Sequence, residues 1–155
     1  MILTVGPYYL TQQINTAEGL KEFSEEDYLS AEFAGMKRVL ENERFFNGIN
    51  VQFAATHWDS TMIASTNGQI YKISLQFDDW NKTLAKMVLQ TTLAFVNSEI
   101  GKYSEHPLFS NKYIWDTKEG NIILYEIRRF QIYSVNIFFT SSIIRSQMAK
   151  LIGAV

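Results

Sequence analysis

The sequence predicts an α+β fold: a single, mainly antiparallel sheet of five to seven strands, packed against one long helix, with smaller helices near the N- and C-termini. Three observations carry this expectation. Asn67-Gly68 is a strong two-residue hairpin signal, because both central residues of a type I′ turn need positive φ. An uninterrupted helical stretch follows, from about Asp79 to Ile100, with Gly101 placed to stop it. Beyond it, Tyr133, Val135, Ile137 and Phe139 alternate with Ser134, Asn136 and Phe138, at the period of a strand.

Size and composition agree with one domain spanning 1–155. The chain has 155 residues, 46% of them hydrophobic, including eleven Phe, eight Tyr and three Trp. That supplies a well-filled core and excludes a disordered chain. With no Cys there is no disulfide framework, thiolate zinc site or cysteine nucleophile. The apolar start, Met1 to Val5, has no basic region and breaks at Gly6-Pro7, unlike a signal segment. No apolar run approaches the ~20 residues that cross a bilayer. A cytoplasmic protein without a membrane partner is the expectation.

Charge divides the chain in two. Residues 1–34 carry Glu18, Glu22, Glu25, Glu26, Asp27 and Glu32 against Lys21 alone. The body, 35–155, holds ten acids and thirteen bases, and no acid follows Glu126. Within the acidic segment, Thr16 is placed to cap a short helix through Phe23, which Gly19 weakens by roughly 1 kcal/mol. Ser24-Glu25-Glu26-Asp27 reads as a capping box that opens a helix toward Ala34. The stretch from Met36 to Phe46 fits helix and strand equally.

The turn Asn67-Gly68 sets the first register. Opposed positions sum to 135, which puts Met62, Ala64, Tyr71, Ile73 and Trp58 on the helix-covered side. In the long helix, Leu84, Met87, Val88, Thr91 and Phe95 form the apolar arc. Asp78 or Asp79 is its expected cap. A second hairpin turns at Lys118-Glu119-Gly120, read as a three-residue loop with Gly in the left-handed position. That register places Tyr113 and Trp115 beside Ile123, Tyr125 and Ile127. Ser141 or Ser142 caps a last helix whose face is Ile144, Met148, Leu151 and Ile152.

Chemistry is sparse. No phosphate-binding glycine loop, dinucleotide fingerprint, zinc-protease motif or nucleophile elbow is present, and no cofactor or metal is implied. In the 135 register His57 faces Asp78, with Asp59 two residues along. A histidine beside two carboxylates is the one candidate for acid–base catalysis, in a small enzyme or ligand-binding domain with a groove there. An ordinary cross-strand charge pair is the plainer reading.

The other candidate is the sheet face that the long helix leaves open. The same registers put Ile63, Ile70, Ile122, Leu124 and Phe138 on it, among Lys72, Gln76, Glu126, Arg128 and Asn136. Apolar and long polar side chains mixed in this way resemble an interface. Tyr125, Arg128, Arg129, Phe130 and Tyr133 set rings beside cations, as in single-strand RNA binders, but the acidic balance argues against nucleic acid. The leading expectation is therefore a non-catalytic protein-binding module of the inhibitor or immunity-protein type. Its contact residues would be Leu124, Phe138, Ile122 and Lys72, or the acidic Glu25, Glu26 and Asp27. A basic protein is the expected partner, with a second copy of the chain as the alternative.

Overall fold

The computed structural model of the chain describes residues 3–36, 38, 40, 42–106, 109–144 and 146. Its strands are β1 (Lys21–Glu22), β2 (Arg44–Asn47), β3 (Gln52–Phe53), β4 (Thr56–His57), β5 (Ser60–Thr66), β6 (Gln69–Asp79), β7 (Ser104–His106), β8 (Phe109–Asp116), β9 (Gly120–Arg129) and β10 (Ile132–Ser141). Its helices are α1 (Glu25–Phe33) and α2 (Lys82–Ile100). The main sheet runs β1-β2-β5-β6-β10-β9-β8-β7, with antiparallel pairing throughout, and β3-β4 form a separate small hairpin. This is the expected α+β class. The sheet reaches eight strands because its outermost members, β1 and β7, are short stretches with weak signals of their own.

Packing on α2 builds the larger core. Ala85, Val88, Leu89, Leu93 and Val96 descend onto Ile73 and Leu75 of β6, Val135, Ile137 and Phe139 of β10, and Ile122 and Leu124 of β9. Asn81, rather than Asp78 or Asp79, caps α2: its Oδ1 accepts from the N–H groups of Thr83 and Leu84, while β6 continues through Asp79. The buried stripe is displaced by one residue from the expected arc, leaving Leu84 and Met87 in solvent at 41% and 59% exposure. Val5 and Tyr8 are also sealed into this core. The Tyr8 hydroxyl donates to the Glu18 carbonyl at 2.6 Å and accepts from the Ile49 N–H at 3.0 Å, tying the first segment to the β2–β3 connection.

The two hairpins depart from the expected registers in different ways. At Asn67-Gly68 both φ values are positive, 50° and 78°, and the first pairs, Thr66–Gln69 and Ser65–Ile70, follow the expected register. A bulge then inserts Tyr71, so that Ala64 pairs with Lys72 and every later pair moves by one residue. In β8–β9 the hairpin loop is only Lys118-Glu119, because Thr117 and Gly120 already exchange backbone hydrogen bonds. Trp115 therefore pairs with Ile122 and Tyr113 with Leu124. A one-residue slip reverses every side chain of a strand, and Ile122 and Leu124 consequently point into the α2 core.

The short helix expected from Thr16 to Phe23 is replaced by a single 3₁₀ turn, Ile14–Thr16, a left-handed Gly19 at φ 65° and then β1. The capping box opens α1 as expected: Ser24 Oγ accepts from Asp27 N–H, and Asp27 Oδ2 accepts from Ser24 N–H. At the other end, Ser141 Oγ accepts from Ile143 N–H as a helical turn begins. Met148, Leu151 and Ile152 lie outside the described residues. Among the described residues no helix is long and apolar enough to cross a membrane.

Candidate binding surface around α1

Between β1 and β2 the chain builds a projecting unit on the sheet face turned away from α2. Phe23, Tyr28 and Phe45 pack their rings at 5.7–5.8 Å, and the Tyr28 hydroxyl accepts from Phe45 N–H. The Arg38 guanidinium lies 4.2 Å over the Tyr28 ring. Arg44 grips Glu22 through two hydrogen bonds, at 2.6 and 3.2 Å, fixing β1 against β2. That guanidinium holds the Glu22 carboxyl below the usual carboxylate range.

With its base fixed in this way, α1 stands proud of the molecule. None of its nine residues is buried. Leu29 and Phe33, one helical turn apart, are 59% and 94% exposed. Glu25, Glu26 and Glu32 are exposed beside them. Asp27 is also exposed but serves the capping box, and its hydrogen bonds from Ser24 lower its pKa. A nine-residue helix is too short to persist alone in water, so cap and ring cluster hold it ready.

Beneath this unit lies a second, smaller core: Leu40, Phe45, Ala64 and Tyr71, with Phe23, Tyr28, Met36 and Ile144 packed against it. Here the Tyr71 hydroxyl donates to Glu43 Oε1, while Glu43 Oε2 accepts from Leu40 N–H at 3.1 Å. Burial pushes the Tyr71 phenol far up, and the Glu43 carboxylate adds to the rise. Neither Glu43 nor Tyr71 was prominent in the sequence. Glu43 falls in the stretch that fitted helix and strand equally, and Tyr71 changes face only because of the bulge.

The other expected site residues disperse. Ile122 and Leu124 are 5% and 0% exposed in the α2 core, which removes them, with Ile63 and Ile70, from any open face. Phe138 and Lys72 do share the face opposite α2, half-buried, with Lys72 Nζ 4.8 Å over the Phe138 ring. His57 is exposed on β4 and pairs with Gln52, because the Ala54-Ala55 turn takes it out of the main sheet. Asp59 and Asp78 do meet, through Asp78 N–H donating to Asp59 Oδ2 at 2.8 Å. Gln76 Nε2 donates to the Asp78 carboxylate. No hydrogen bond or ion pair joins His57 to either carboxylate, so the expected acid–base group is not assembled. Among the described residues no cluster of His, Asp or Glu has the makings of a metal site.

No family model matches the chain, and neither the curated proteins nor the solved structures compared with it contain a match.

Proposed function

We propose that the protein is a non-catalytic binding module, of the inhibitor or immunity type, that presents α1 to a basic protein partner. The observation that carries this reading is the ridge of Leu29 and Phe33 exposed on a preorganised helix and bordered by Glu25, Glu26 and Glu32. Two apolar side chains one turn apart suit a recess in the partner, in the manner of a helix laid into a groove. The surrounding carboxylates select a rim of Lys or Arg and speed encounter. Truncating a central apolar anchor commonly costs 2 kcal/mol or more of binding energy.

Site-specific photocrosslinking tests this. With p-benzoylphenylalanine at position 33 and expression in the native host, one dominant adduct with a basic protein is expected. Glu25→Lys with Glu26→Lys should strongly reduce its yield while circular dichroism shows the fold retained and thermal melting falls only slightly, by the cost of two cations at the helix N-terminus. Adducts formed only between copies of the chain would replace this reading with self-association. Adducts indifferent to the charge reversal would overturn it.

A further inference from the structure

Behind α1, on the sheet face opposite α2, a cavity of about 460 Å³ opens between the α1–β2 connection and strands β5 and β6. That volume lies within the roughly 300–1,000 Å³ of small-molecule sites. Its walls are mainly apolar: Met36 and Leu40 from the connection, Phe45 from β2, Met62 and Ala64 from β5, and Ile144 beyond β10. Two of these are methionines, whose unbranched side chains adapt to the shape of a ligand.

Among the described residues three polar side chains line the cavity, and they differ in what remains available. The Tyr71 hydroxyl is committed to Glu43, and Glu43 accepts from both Tyr71 and Leu40 N–H. Lys72 is brought here by the Tyr71 bulge, which sets both residues opposite Ala64. Its ammonium rests over the Phe138 ring and makes no hydrogen bond or ion pair with the described residues. A half-buried ammonium has three donors and favours a negatively charged acceptor when water is scarce. Burial also lowers the Lys72 pKa, against the opposing pull of Glu43. Glu43 in the same cavity disfavours a second negative charge on whatever enters.

We propose that this cavity binds an apolar monocarboxylic acid, with its carboxylate on the Lys72 ammonium and its hydrocarbon against Met36, Leu40, Met62 and Ile144. The site is distinct from the α1 ridge, and neither proposal depends on the other.

Octanoate, octan-1-ol and octylammonium, which share one tail, are the probes. In the wild-type protein, octanoate is expected to shift the Met36 and Met62 methyl resonances saturably with 1:1 stoichiometry. Octan-1-ol should bind the same methyls more weakly, and octylammonium more weakly still. Lys72→Met should weaken octanoate about tenfold or more, the range for losing a charged hydrogen bond, and leave octan-1-ol unchanged. Ala64→Trp, which fills the cavity, should abolish both. The wild-type methyl shifts decide the matter even if that variant fails to fold. An absence of saturable shifts at Met36 and Met62 with millimolar octanoate would overturn the proposal. So would equal affinity for octanoate and octylammonium.

Discussion

Ala54 and Ala55 turn the β3–β4 hairpin with φ of 52° and 58°, a left-handed conformation that disfavours any side chain with a Cβ. Type I′ turns prefer Asn-Gly at these positions, as residues 67 and 68 show. Ala55→Gly, at the exposed position, should stabilise the protein by about 1 kcal/mol in urea titrations. Gly120→Ala should do the reverse. At φ 154° its added Cβ would lie 1.8 Å from the Thr140 carbonyl oxygen, a backbone atom that cannot move aside. A loss of about 3 kcal/mol or more is expected from the combined clash and strain. The Glu22–Arg44 pair gives a pH dependence of known sign. Because the folded-state pKa of Glu22 is lowered, its contribution is present above the unfolded pKa and is lost as pH falls through the folded value. Both side chains are well exposed, 40% and 49%, so the contribution is only a few tenths of a kcal/mol. Arg44→Gln should move the Glu22 titration, followed by NMR, up toward the ordinary carboxylate range.

Within elements, legibility depended on whether the deciding interaction was local. The Ser24–Asp27 capping box, the Asn67-Gly68 turn and the end of α2 at Gly101 use residues a few positions apart, and all three stand where the sequence puts them. The Tyr71 bulge and the two-residue Lys118-Glu119 loop were not legible. Each is fixed by what the strand meets across the sheet, such as Gly120 lying tight against Thr140, and each alters which residues face the core. For the candidate site the consequence was selective. Glu25, Glu26 and Asp27 remained on the surface, whereas Ile122 and Leu124 turned inward. The face of α2 moved for a similar reason: two overlapping apolar stripes fit the sequence, and the sheet selects one. Leu89→Ala should therefore cost about 3 kcal/mol, as a buried Leu truncation does. Met87→Ala should stay within about 0.5 kcal/mol. Chemical denaturation of the two variants compares the stripes directly.

At the scale of the molecule, apolar clusters occupy both faces of one sheet, with α2 over the first and the α1 unit over the second. Carboxylates gather at the α1 end, while the chain after Glu126 carries only cations. If α1 meets a basic partner, association measured by stopped flow should slow as salt is raised, since the Debye length shrinks to about 8 Å at physiological ionic strength. Glu25→Lys with Glu26→Lys should flatten that dependence. The strand order also governs assembly in time. β1, β2, β5 and β6 form one run of strands and β7 to β10 another, and the sheet joins them only where β6 meets β10, from Lys72–Thr140 to Asp79–Tyr133. The second run has short connections throughout, and in the first β5 and β6 are joined by Asn67-Gly68 alone, whereas this seam must close across the whole of α2 and three further strands. Closing so long a loop is entropically slow. The two runs should thus form early and unite late, and Ile137→Val, on the seam beneath α2, should raise the unfolding rate more than it lowers the folding rate in stopped-flow measurements.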